Sequence, residues 1–486
     1  MEGVVDRLNV VLIVVDALRA QNLGIYGYHK DTSPNIDWLG KRGVVFDNAF
    51  SCINTTDPSV TSIFTGRYPI SHGIINHGTK LTQSEVHAFL RRNIKTLPEI
   101  LKSNGYITLA LDWLGRWHRK GFQYYMGIDS AAAQKSGKTK FGEMLGASKR
   151  LVNGLYIRLK RFLFRSRIRS ATNITKHTIK VMEERLDRRS PFFLFIHYWD
   201  THTPYNAPKH FEKRFFDEND DSVRIEDVLR RIKNPEWREY LRKVTKGAKT
   251  ASEIIARYDG AIAYVDEEIG VLIDFLEKRS VLDESVVILT SDHGESLTEH
   301  NIFFDHHGLY DVTIRVPLII WCPSIFSSHV RVPSLVQHVD LVPTVLDILN
   351  IGERYGFDGE NLVPLIRGER DRVRSFVYVE EVHTQRKRAI RTENFKYIYA
   401  LSGREVVCRY CGFMHEGIKE LYYLREDPRE LLNVVERYPR VAQELEETSE
   451  KWVHLLISKV RRQTIGEKIR EIRRKLNSMH RGNSIS

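Results

Sequence analysis

The sequence predicts an α/β fold: a mostly parallel central sheet flanked by helices, followed by a small C-terminal α+β subdomain. Two observations predict it. Short, unbroken apolar runs recur along the chain, as strands buried on both faces require. Amphipathic helical patterns lie between them, the alternation of a parallel sheet. The length of 486 residues, 42% hydrophobic, supplies enough apolar material for one large domain plus a small one. The boundaries expected are a large domain over 1–370, the subdomain over 371–457 and a basic helical tail over 458–486.

Val10–Val15 is the first run and reads as a central strand. In Asn54–Pro69, Pro58 suits a helix's first turn and Gly66 its end. Thr96–Ser103 carries Leu97, Ile100 and Leu101 on one face. Residues 133–189 form a basic helical insertion, in which Leu and Phe interleave with the Lys and Arg of 149–169. Phe192–Ile196 is a second strand, 209–250 a charged, largely helical insertion, and Ala256–Leu276 a helix. Ser285–Thr290 and Val316–Trp321 read as further strands. Val377–Glu380, Arg388–Arg391 and Phe395–Ala400 are short strands of the subdomain, and Arg440–Ile457 is its helix. Residues 455–486 hold nine Lys or Arg against two Glu, so much of the net charge of +12 sits there, with Ile465, Ile469, Ile472 and Leu476 on one stripe.

The charge suits anionic partners of any kind. Four cysteines in so long a chain argue against a disulfide framework. The Val10–Val15 run is too short for a membrane span and lacks the flanks of a signal peptide, so a cytoplasmic location is expected. The basic segments 149–169 and 455–475 have a plain reading as solvated helical faces, which is favoured for the tail, while the interleaved Leu and Phe leave surface binding open for the insertion. A sharper reading has them dock peripherally on an anionic membrane. No nucleic-acid-binding module is recognised, and the oligomeric state is left open.

Parallel sheets carry their chemistry beyond the carboxyl ends of the strands. The first candidates are therefore Asp16, the stretch His197–His202, and Asp292-His293. Thr56 would stand at a helix N-terminus, beside unpaired N–H groups and the positive dipole end, a seat for an anionic ester and a nucleophilic oxygen. Asp16, Thr56, Asp292 and His293 together make a shell for one divalent cation, and mixed oxygen and nitrogen donors admit Mn, Ca, Mg or Zn. Taken singly, each residue is a cap or a turn; the three segments together outweigh that.

These segments resemble the sulfatase family of the alkaline phosphatase superfamily. The resemblance rests on ordered matches from Asn9 to about Leu432. They are Val14–Arg19, Thr56–Ser59 with Thr65–Pro69, Tyr198–Tyr205, Tyr258–Gly270, Thr290–Glu295, Asp305–Asp311 leading into Arg315–Leu318, Val339–Thr344, Phe357–Gly359 and Leu421–Leu431. The resemblance implies an alkaline-phosphatase-like fold with Asp16, Asp292 and His293 on the metal and Thr56 as nucleophile. It implies that His202 and one or both of His306 and His307 contact the ester or protonate its leaving group. Arg116 and His118 resemble an anion clamp.

Three departures bear on the chemistry. The family's nucleophile position holds Cys or Ser followed by x-Pro-x-Arg; here it is Thr56, with Val60 in the Arg place. A threonine cannot become the formylglycine aldehyde, because its methyl would give a ketone. Ala17 stands where a second Asp is usual. A threonine with an Asp-His pair resembles the family's phosphodiesterases and phosphoglycerol transferases. The expectation is a metal-dependent hydrolase or transferase of phosphate or sulfate esters working through a covalent Thr56 intermediate. The alternatives are an arylsulfatase-like enzyme and a non-catalytic member that binds an anionic partner.

Other signals read as structure. Cys408 and Cys411 with His415 have partial zinc-knuckle spacing but no evident fourth ligand, so packed thiols are favoured. His72 is read as structural or at the pocket rim, and His300 as a surface residue.

Overall fold

The computed structural model describes residues 7–126, 170–186, 190–216, 222–326, 329–352, 355–402 and 406–482, with side chains to residue 463. Most of the basic insertion, including 149–169, lies outside the described residues.

The central sheet has nine strands: β1 (Asn9–Val15), β2 (Val44–Phe50), β3 (Ile107–Leu111), β4 (Tyr124–Met126), β5 (Phe192–Tyr198), β6 (Ser285–Thr290), β7 (Arg315–Val316), β8 (Leu318–Trp321) and β9 (Val330–Gln337). Their order is β4-β3-β5-β1-β6-β8-β2-β7, with β9 also on β2. β4, β3, β5, β1 and β6 run parallel; β8 is antiparallel to β6 and β2. The sheet is therefore mostly parallel, as expected. Val316–Trp321 is two strands rather than one, because Pro317 lacks the N–H a continuous ladder needs.

The apolar runs are unbroken because both faces are covered. Val11, Ile13 and Val15 pack with Leu194, Ile196, Val287 and Leu289 in one core, beside the helices Ala171–Arg185 and Ala251–Lys278. Val10, Leu12 and Val14 face the other way, with Phe193, Phe195, Val286 and Ile288, beneath α2 (Thr56–Thr65) and the helices Leu97–Ser103 and Leu341–Ile348. The 28-residue helix Ala251–Lys278 starts at a capping box between Thr250 and Glu253. Its Asp266 accepts the N–H groups of Asn35 and Ile36, closing the N-terminus of α1 (Pro34–Arg42).

A second, antiparallel sheet runs β10 (Val377–Glu381), β11 (Lys387–Arg391), β12 (Phe395–Ala400) and β13 (Lys419–Tyr423) in sequence order. The helix Pro439–Gly482 follows and carries the second basic segment. The 209–250 insertion is helical at Lys209–Lys213, Ile225–Arg231 and Pro235–Val244. Among the described residues no helix is long and apolar enough to cross a membrane.

Candidate active site

Parallel register brings the chemistry together. Val14 pairs with His197 on one side and Thr290 on the other, so β5, β1 and β6 end side by side. The side chains of Asp16, His197 and Asp292 thereby converge, each offering a ligand atom within 4.8 Å of the others, all buried. His293 joins them: its Nε2 lies 3.6 Å from Asp16 Oδ1 and 3.4 Å from Asp292 Oδ2. Thr56 Oγ1 is 3.4 Å from the same Nε2. All four residues named for a metal shell in the sequence are thus in one place.

Backbone contacts hold these side chains in position. Asp292 Oδ1 accepts the N–H groups of Ala17, at 3.1 Å, and His293, at 2.9 Å. Ala17 has a φ of 58°, a strained value for a residue with a Cβ. It is pinned by Tyr258, whose hydroxyl donates to Ala17 O at 2.7 Å. Gly294 follows His293, and a Cβ there would come 2.2 Å from Val312 O, so the turn tolerates no side chain. Thr56 opens α2, and Gly66, at φ 61°, closes it. Thr55, the residue before the helix, makes no side-chain cap, which removes the plain capping account of these threonines.

The donor set suits a divalent cation. His293 Nδ1–H donates to Gly294 O at 2.8 Å, which leaves Nε2 with its lone pair toward the carboxylates. Burial pushes His293 down to about 3, so the ring is neutral and able to ligate. His197 Nδ1–H donates to Asp112 Oδ1 at 2.9 Å, the carboxylate–histidine arrangement that orients a metal ligand. Asp292 Oδ2 and His197 Nε2 are buried without a hydrogen-bond partner among the described residues. Two carboxylates buried this close cost several kcal/mol unless a cation neutralises them. The sequence reading pointed to the stretch containing His197 without assigning it to the metal; its place inside β5 hid it as a core residue.

Beyond the shell lie the other candidates. The His306 ring stacks on His293, with centroids 4.1 Å apart, and His202 is 5.5 Å from His306. Burial pushes both imidazoles below their ordinary value. Asp57 takes an ion pair from Arg116 and lies 3.1 Å from His77. Burial alone would raise the Asp57 carboxyl, but His77, His118 and Arg116 hold it well below the usual range. Arg116 is thereby anchored to the first turn of α2. His118 is buried behind that helix, with Nε2 3.4 Å from Thr61 Oγ1. His307 falls in a different cluster, with Cys408, Cys411 and His415.

Two minor expectations meet the structure here. His72 is structural: it is fully buried and within 3.1 Å of Ser62 Oγ. His300 is not on the surface; its ring stacks on Tyr310 at 3.6 Å, which buries it.

Comparison with known proteins now decides the family. The sulfatase family model matches residues 8–351, and the model of the N-sulphoglucosamine sulphohydrolase C-terminal region matches 298–454. The chain belongs to the sulfatase family. Among curated family members it is 27% identical to iduronate 2-sulfatase of Homo sapiens over 347 residues, 65% of this chain and 60% of that protein. The chain thus spans about 60% of the length of that relative. It is 23% identical to N-acetylglucosamine-6-O-sulfatase of Bacteroides thetaiotaomicron, over 92% of this chain and 87% of the relative. Among solved sulfatase-fold structures, one captured in complex with its substrate D-glucosamine-2-N,6-O-disulfate matches with a TM-score of 0.67 at 21% identity, covering 93% of this chain and 98% of that one. The phosphonate monoester hydrolase of Agrobacterium radiobacter matches with a TM-score of 0.65 at 20% identity, covering 93% and 96%. These likenesses establish the fold that the sequence predicted.

Proposed function

We propose that this sulfatase-family chain is a metal-dependent hydrolase or transferase of anionic esters that uses the Thr56 hydroxyl itself as nucleophile. One observation carries the reading: Thr56 Oγ1 lies 3.4 Å from His293 Nε2, at the edge of a buried set of donors. Asp16, His197, Asp292 and His293 would hold a single divalent cation. The imidazole of His197 supplies the donor that Ala17 withholds. A bound cation would lower the pKa of a coordinated hydroxyl and offset charge on the ester oxygens.

The residues divide the rest of the work. Thr56 stands at the N-terminus of α2, where the positive end of the helix dipole favours the anionic ester. Thr56 Oγ gives up its proton to a neighbouring imidazole and attacks phosphorus or sulfur, and the bond to the leaving ester oxygen breaks. The group stays on threonine until water or an acceptor alcohol displaces it and Oγ is reprotonated. An anionic ester raises the proton affinity of His202 and His306, which burial otherwise keeps neutral. One of them then carries the proton for the departing oxygen. Arg116, anchored on Asp57, faces the anion as a positive charge.

Phosphorus esters are favoured because Thr56 cannot yield the aldehyde used by formylglycine enzymes. Sulfate-ester hydrolysis is the second reading, supported by the names of the curated relatives. The test is a screen of nitrophenyl sulfate, nitrophenyl phosphate and bis(nitrophenyl) phosphate with added Mn, Ca, Mg or Zn, run beside Thr56→Ala. Loss of the hydroxyl should lower turnover on the preferred ester on the order of a thousandfold or more. Full turnover by Thr56→Ala on every active ester would sink the proposal.

A further inference from the structure

Apart from the ester site, the fold brings together His307, Cys408, Cys411 and His415. Each offers a ligand atom, all of these atoms lie within 4.8 Å of one another, and all four residues are buried. Both cysteines are free thiols. Tetrahedral zinc, with bonds of about 2.3 Å to sulfur and about 2.1 Å to nitrogen, places its ligand atoms about 3.4–3.8 Å apart. The cluster therefore closes on an ion with shifts on the order of 1 Å.

The surroundings are those of metal ligands. His415 Nδ1–H donates to His300 O at 3.1 Å, which fixes the tautomer and leaves Nε2 unprotonated. That Nε2 lies 3.0 Å from Cys411 Sγ. His307 is only 2% exposed, yet neither ring nitrogen has a hydrogen-bond partner among the described residues. Its Nδ1 is 3.6 Å from Asp305 Oδ1, so a carboxylate stands ready to orient the ring. The two cysteines sit on a tight turn: Gly412 N–H donates to Cys408 O at 2.9 Å, and Cys408 N–H to Phe413 O at 2.7 Å. Gly412 has a φ of 78°, a value glycine adopts without strain. A buried imidazole with both nitrogens unbonded costs a few kcal/mol as a purely packed group. Ligation removes that cost.

We propose that His307, Cys408, Cys411 and His415 hold a structural zinc ion. Two sulfurs and two nitrogens in a closed tetrahedron select zinc over the hard cations suited to the Asp16 site. With four protein ligands the ion has no open position and takes no part in ester chemistry. Its role is to tie the Cys408–His415 loop to the Asp305–Tyr310 segment. His307 is committed to this ion, while its neighbour His306 faces the ester pocket. One peptide bond thus joins a ligand of this ion to a residue of the ester pocket, whose ring stacks on His293.

The experiment uses the full chain, produced with zinc supplementation and kept reduced. Elemental analysis after brief chelation, which strips an exchangeable cation, should leave one zinc per chain. A thiol-directed mercurial should release it to a zinc-binding dye. The Cys408→Ser/Cys411→Ser variant should lose this zinc and still bind a divalent cation at Asp16. Cobalt-substituted wild-type protein should show thiolate-to-cobalt charge-transfer absorption. The proposal is overturned if the reduced wild-type chain retains no zinc, if cobalt gives no thiolate band, or if the purified protein carries a Cys408–Cys411 disulfide. Should the variant fail to fold, mercurial release and the cobalt spectrum of the wild type decide the matter alone. Absence of ester turnover would bear on Thr56 and not on this ion.

Discussion

Replacing Asp112 by asparagine tests the proposed metal site at a residue that never touches the ion. Asp112 is fully buried and accepts the Nδ1–H of His197 at 2.9 Å. It also accepts the Tyr125 hydroxyl and, at 3.2 Å, the N–H of Leu114. Asparagine keeps the shape and one acceptor oxygen, so the His197 ring should stay in place. The negative charge that makes Nε2 a stronger donor is lost. Outer carboxylates of this kind are worth about 10–100-fold in metal affinity, or about 1.4–2.7 kcal/mol. Asp112→Asn should therefore weaken Mn or Zn binding about 10–100-fold, read by competition with a chelating dye. His197→Ala should weaken it further. The melting temperature of the metal-free Asp112→Asn protein serves as control for folding. If Asp112→Asn binds either cation as tightly as wild type, His197 is a packed core histidine and the shell has been drawn wrongly.

Further outcomes follow from other positions. Thr56→Ser keeps an oxygen at the start of α2 and should retain measurable turnover where Thr56→Ala does not; equal loss in both would point to a steric role for the methyl. Glu299 pairs with the buried Arg19 at 2.6 Å. Burial pushes the Glu299 carboxyl up, but the Arg19 guanidinium outweighs it and holds the group down to about 2 from an ordinary 4.5. With the folded-state pKa depressed, the contribution is complete above about pH 4.5 and is lost as pH falls through about 2. Allowing for solvent screening at a carboxylate about one-third exposed, Glu299→Gln should cost roughly 1–2 kcal/mol at neutral pH and less at pH 3. Urea unfolding at the two pH values checks this, and a difference that does not shrink in acid contradicts it. Gly294→Ala drives a methyl against the Val312 carbonyl and should cost about 1–3 kcal/mol by thermal unfolding while also weakening cation binding.

Much of the fold was legible because a doubly covered strand leaves a plain mark. Ser285–Thr290 reads correctly to the residue, since all six side chains are buried and none needs to be polar. β3 and β4 left no such mark: Ile107–Leu111 contains Thr108 and Ala110, and Tyr124–Met126 is three residues long. Pro317 was a visible signal that Val316–Trp321 could not be one strand. At the site, residues just beyond strand ends drew metal roles, whereas His197, which opens the candidate stretch His197–His202 but lies within β5, drew none. The companion of Cys408 and Cys411 was invisible for a different reason. His307 comes from a distant part of the chain, and local spacing carries no record of which loop the fold lays beside which.

The register of β1 against β5 and β6 has one more consequence. His197 lies within β5, and Asp16 and Asp292 follow closely on the ends of β1 and β6, so the spacing of the paired strands largely sets their separation. Nothing has to fold around an arriving ion. Cation exchange at this centre should therefore proceed with the chain in its native form, and the choice among metals should be made by the donor atoms rather than by a loop that must wrap to fit.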